Sequence, residues 1–201
     1  MPDPTKHPDL HGNAPDQCPV ALLIVDTLNA LSFEGGEQFA PLALAAGRSI
    51  ATLKKRAKTA GAPVIYVNDN AGRWRSDMNQ VVSACTRSDA PGRELAELLL
   101  PDADDYLVLK PKHSGFFATP LDTLLTYLRA RRLVITGLSV ERCVLFTAND
   151  AFLRDYELFV PRDCTAAIDP EDSAAALRIL ERVLAADTRP SPSLDWERLR
   201  I

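Results

Sequence analysis

Five short apolar runs, separated by longer stretches with helical spacing, set the plan of this 201-residue chain. The first run, residues 20–25, reads Val-Ala-Leu-Leu-Ile-Val and stops at Asp26, the pattern of a strand buried on both faces. Comparable runs occupy 63–67, 106–109, 133–136 and 157–160; the second ends at Asn68, the third at Lys110, the fourth at Gly137, and the fifth leads to Asp163. Between them the apolar period lengthens to three and four residues. After Phe39 it passes through Leu42, Ala46, Ile50 and Leu53 and stops at Gly61, and similar helices are expected over 93–100, 121–130, 141–154 and the Ala-rich 170–185. Segment 68–74 reads as a polar loop at a strand's C-terminal end, and one more short edge strand is expected near Ala186. Strands alternating with helices mean βαβ units, hence an α/β, three-layer αβα sandwich around a mostly parallel, Rossmann-like sheet.

Residues 1–18 carry Pro2, Pro4, Pro8 and Pro15 among polar neighbours and are expected to form a flexible leader, leaving 19–201 as a single domain. With 46% hydrophobic and 25% charged residues the composition is that of an ordinary globular protein. A formal charge of -4 and the lack of a Lys/Arg block argue against nucleic acid as partner, and no apolar run approaches the roughly 20 residues of a membrane span. A cytoplasmic protein acting on a small molecule is the expectation. The four cysteines, Cys18, Cys85, Cys143 and Cys164, are scattered without a CxxC pair and read as free thiols. Of three histidines, His7 and His11 lie in the leader and leave His113, so no metal or other cofactor is expected.

In parallel sheets of this kind the ligand crevice lies outside the carboxyl ends of the strands. Asp26 ends the first strand, Lys110 ends the third and Cys143 follows the fourth by a few residues, at the start of a helix. They converge if the first and fourth strands are neighbours, as in a 3-2-1-4-5 order. A thiol there gains thiolate character from the positive helix end and from the ammonium, and the carboxylate can take its proton and pass it on. Each residue also has a plain structural reading: a strand-end turn residue, a solvated lysine, a small core cysteine.

Three stretches, Ala21-Leu-Leu-Ile-Val-Asp26, Lys110-Pro-Lys-His-Ser-Gly-Phe-Phe-Ala-Thr-Pro-Leu-Asp122 and Ile135-Thr-Gly-Leu-Ser-Val-Glu-Arg-Cys-Val144, resemble in order and spacing the isochorismatase-like cysteine hydrolase family. The resemblance covers about residues 20 to 188. It implies a six-stranded, mainly parallel sheet between helices and a triad of Asp26, Lys110 and Cys143. Lys112 is a second candidate for the lysine, but Lys110 stands four residues before Ser114, as the family pattern asks. The resemblance also implies a non-proline cis peptide at Leu138-Ser139, with the Ser139 and Cys143 N–H groups aimed at an oxyanion.

Nicotinamidase-like members of the family carry an Asp and histidines after the second strand as a metal site. Here that segment reads Asn68-Asp-Asn-Ala-Gly-Arg-Trp-Arg-Ser-Asp77 and has no histidine, which points to the non-nicotinamidase branch. A retained Cys143 implies covalent hydrolysis of an amide, ureido or carbamoyl-type C–N bond through a thioester. Asn68, Trp74, His113 and Phe116 are the candidates for contacting substrate, and Arg73 and Arg75 for holding a carboxylate. A homo-oligomer, dimer or tetramer, is expected; Phe146 and Phe152 read as core, with a place in its interface as the alternative. Two rival classes stand beside hydrolysis: a redox sensor in which Cys164 resolves Cys143, and an inactive scaffold.

Overall fold

The computed structural model describes residues 17–70, 72 and 76–201. Strands β1 (Val20–Val25), β2 (Val64–Asp69), β3 (Tyr106–Lys110), β4 (Arg132–Leu138) and β5 (Glu157–Phe159) lie in the order β3-β2-β1-β4-β5, and a two-residue β6 (Thr165–Ala166) pairs with β4. Every pairing is parallel. The crossovers carry α1 (Gly36–Thr59), α2 (Met78–Cys85), α3 (Arg93–Leu98), α4 (Leu121–Leu128), α5 (Leu145–Phe152) and α6 (Pro170–Arg182), and a single turn, α7 (Trp196–Leu199), lies near the C-terminus.

The unbroken apolar run of β1 serves two cores, because successive side chains point to opposite faces. Val20, Leu22 and Ile24 pack with Phe39, Ala43, Ile50 and Leu53 of α1 on one face. Ala21, Leu23 and Val25 pack with Leu121 and Leu125 of α4, Ala148 of α5 and Leu180 of α6 on the other. Fully burying a Leu or Ile side chain contributes about 1.5–3 kcal/mol, so a strand with no polar face has no stable place except this middle layer. Cys18 is already part of the first core and its N–H bonds the Leu128 carbonyl, so the packed domain includes the last residue assigned to the leader. Residues 1–16 lie outside the described residues.

Several elements differ from the sequence expectation. Strand β2 continues through Asn68 and Asp69, where a loop was expected, because both residues stay in register with Leu109 and Lys110 of β3. Helix α2 was not anticipated: its apolar face amounts to Val81 and Cys85, too short for a periodic signal, and Asp77 caps it by accepting the Gln80 N–H. The sixth strand is Thr165–Ala166, not the segment near Ala186, where Asp187 makes an isolated bridge to Phe159. The expected helix over 141–154 opens as a π-helical turn, Val140–Val144, before α5 begins.

Gly137 explains how β4 can lie so close to β1 at the site. Its φ is +119°, and a Cβ there would stand 1.9 Å from the Val25 carbonyl oxygen. Glycine is the residue that meets both conditions.

Candidate active site

Asp26 leaves β1 in the left-handed region, with φ 50°, and its N–H bonds the Val67 carbonyl of the neighbouring strand. That turn directs the carboxylate across the sheet edge, where it is 5% exposed. Its Oδ1 accepts the Asp69 N–H at 2.5 Å, a donor that exists there because β2 runs on to Asp69, and its Oδ2 lies 2.6 Å from Lys110 Nζ. Lys110, wholly buried at the end of β3, spends its ammonium on three neighbours. Besides Asp26 it donates to the Lys112 carbonyl at 3.1 Å and to Cys143 Sγ at 3.4 Å, while Asp69 Oδ2 stands 3.7 Å away. The Asp26 charge also acts on the Cys143 thiol. Lys112 itself is exposed and contributes its backbone, so Lys110 occupies the central position.

Burial sets the electrostatics of this cluster. It lifts the Asp26 carboxyl above the ordinary carboxylate range, with the Lys110 ammonium pulling the other way. Burial, reinforced by the Asp26 charge and opposed by Lys110, pushes the Cys143 thiol up to about 12. Lys110 stays charged: desolvation works against it, but Asp26 and Cys143 outweigh desolvation. Burial thus outweighs the ammonium in its effect on the Cys143 thiol.

Between β4 and Cys143 the Leu138-Ser139 peptide is cis. The Ser139 carbonyl accepts the Arg142 and Val144 N–H groups, and its hydroxyl donates to Glu141 Oε1 at 2.7 Å. The segment 110–116 is tied to α5 from the other side. Ser114 Oγ bonds Asp150 of that helix, and the Gly115 N–H bonds Thr147 Oγ1 at 2.9 Å. The loop that follows Lys110 and the helix that follows Cys143 are thus held in one register.

The expected substrate contacts divide. His113 is exposed and its Nδ1 lies 3.8 Å from Cys143 Sγ. Asn68 is buried, with its side chain accepting the Leu28 N–H at 3.1 Å and donating to the Leu28 carbonyl at 2.9 Å, so it braces the chain that follows Asp26 instead of facing a ligand. Phe116 is also a correction: it belongs to the second core, under the Arg154 guanidinium at 4.7 Å. Trp74, Arg73 and Arg75 lie outside the described residues. Sequence reading missed Asp69, which it placed in a loop, and misjudged Phe146, which is 51% exposed with its ring 5.5 Å from that of His113. Phe152, also read as core, is 40% exposed.

Among the described residues, the group of acidic side chains close enough to share an ion is Asp102, Asp104 and Asp105, just before β3. These carboxylates are taken up by Lys54 and Lys58 at the opposite edge of the sheet from Cys143. No described helix is long and apolar enough to cross a membrane.

A parallel α/β sandwich gathers a carboxylate, an ammonium and a thiol at the carboxyl edge of its sheet. Residues 20–188 match the model of the isochorismatase domain, and the chain belongs to that family of hydrolases. It is 41% identical over 167 residues to the isochorismatase family protein YaaI of Bacillus subtilis (strain 168), covering 83% of this chain and 91% of that one. A shorter match, 40% over 78 residues, covers 39% of this chain and 34% of the ureidoacrylate amidohydrolase RutB of Enterobacter sp. (strain 638). Among solved structures, the N-carbamoylsarcosine amidase of Thermoplasma acidophilum superposes with a TM-score of 0.69 at 30% identity, over 88% of this chain and 98% of that one.

Proposed function

We propose that the protein hydrolyses a C–N bond of an amide, ureido or carbamoyl-type small molecule through a thioester on Cys143. The observation that carries this reading is the contact set around one ammonium: Lys110 Nζ lies 2.6 Å from Asp26 and 3.4 Å from the Cys143 sulfur. Relatives named for ureidoacrylate and N-carbamoylsarcosine hydrolysis support the class of bond.

In the proposed sequence Sγ attacks the carbonyl carbon as Asp26 takes the thiol proton. The oxyanion is held by the N–H groups of Ser139 and Cys143, preorganised so that little reorganisation accompanies the reaction. As the tetrahedral species collapses, the C–N bond breaks and Asp26 returns the proton to the departing nitrogen. Water then attacks the thioester and gives a proton to Asp26, the C–S bond breaks, and that proton goes back to the sulfur. Lys110 remains a cation throughout, offsetting negative charge on Asp26 and on the sulfur in turn.

A panel of amides and ureides with mass detection of the acyl adduct tests the reading. Cys143→Ala is expected to abolish turnover with the fold intact, and substantial residual hydrolysis by that variant sinks the covalent mechanism. The redox alternative is disfavoured by position: Cys164 is fully buried in the first core, whereas Cys143 packs against the second, across the sheet.

A further inference from the structure

The buried side of the Cys143 sulfur is occupied by Asp26 and Lys110, so anything bonded to Sγ must extend toward the exposed side. That side is bordered by the His113 ring, whose Nδ1 is 3.8 Å from Sγ. An acyl group on the sulfur therefore comes within van der Waals reach of the imidazole. His113 is exposed yet anchored: Lys110 holds the carbonyl of the residue before it, and Asp150 holds the hydroxyl of the residue after it.

Phe146 stands three residues beyond Cys143, in the first turn of α5 directly after the π-helical turn that carries the sulfur. Its ring leans on His113 with centroids 5.5 Å apart and planes at 51°, and half of it is open to solvent. Two aromatic rings in tilted contact, one 3.8 Å from the sulfur and the other half exposed, border the nucleophile on its open side. Flat π-systems gain from stacked or edge-to-face contact with such rings in a way that a saturated chain does not.

We propose that His113 and Phe146 together form the wall that receives the acyl part of the substrate, and that the site prefers amides whose carbonyl carries a planar, unsaturated or aromatic group over those carrying a saturated one. This specificity rests on the covalent reading of Cys143 given above. It assigns Phe146 a role in recognition and gives His113 a specific one, as part of a π-surface.

The experiment uses thiol probes, so that its outcome does not depend on turnover. Alkylation of Cys143 by iodoacetanilide is compared with alkylation by iodoacetamide, the adduct being mapped by mass and each rate referred to a free cysteine. The other cysteines of the chain are buried. The intact protein is expected to favour the anilide by about tenfold beyond the free-thiol ratio, the scale of one aromatic pair. Phe146→Ala and His113→Ala should each remove most of that preference, and His113→Phe should keep it. A wild-type ratio equal to that of the free thiol, or a ratio unchanged in either alanine variant, overturns the proposal. Failure of the covalent reading shows separately, as hydrolysis that survives Cys143→Ala while the anilide preference stands.

Discussion

Replacing Lys110 by methionine tests whether the buried ion pair at the site is what the geometry makes it. The substitution keeps most of the aliphatic stem and removes the charge 2.6 Å from Asp26. At that distance the gross attraction is about 6 kcal/mol for an effective dielectric of about 20. Breaking a buried pair on one side costs about 3–5 kcal/mol, because the remaining carboxylate is left uncompensated in the core. Alone, Asp26 would titrate further above its unfolded value. The folded variant would then retain a proton that the unfolded chain releases, so its stability falls as pH rises through the window between the two pKa values. Urea unfolding followed by the fluorescence of buried Trp196 measures this. Lys110→Met is expected to lose about 3–5 kcal/mol at neutral pH and less in acid. The double variant with Asp26→Asn, which removes the lone charge, should recover at least half of the loss while remaining inactive. A deficit below about 1 kcal/mol, the scale of a solvated surface pair, refutes the reasoning, as does a deficit that grows on acidification.

Three further predictions follow from the same geometry. Asp26→Asn removes a charge that pushes the Cys143 thiol up and leaves Lys110 in place, so thiolate absorbance at mildly alkaline pH should rise while turnover falls by about 100-fold or more; unchanged absorbance contradicts the coupling. Because Asp26 must be ionised to take the thiol proton and burial holds its pKa up, the acid limb of kcat/KM should lie above the ordinary aspartate value of about 3.9, and a limb at or below that value removes Asp26 from the role of base. Asn68→Ala should cost about 1–3 kcal/mol in chemical unfolding, by orphaning the Leu28 backbone groups, without a selective rise in KM; an intact stability with a raised KM would return Asn68 to substrate contact.

The amino-acid sequence by itself determined the layered plan. A run such as residues 20–25, apolar at every position, can be stabilised by burial on both faces, and its repetition between helical stretches leaves a parallel sheet as the consistent solution. The gathering of Asp26, Lys110 and Cys143 at one edge was legible for the same reason, since parallel strands put all their carboxyl ends together, but only on the condition of a strand order that the fold supplies. What only the tertiary structure decided is where side chains at the strand ends point and what each spends its polar atoms on. Asn68 and Asp69 look like turn residues until pairing with β3 carries the strand through them. That extra length supplies the N–H that holds Asp26 and turns Asn68 inward. Phe116 and Phe146 are the same residue type in apolar surroundings, yet one fills the core and the other faces solvent beside the thiol, because the loop and the helix that carry them dock at different depths. Strand length and docking depth arise from pairings distant in sequence, which local periodicity does not encode.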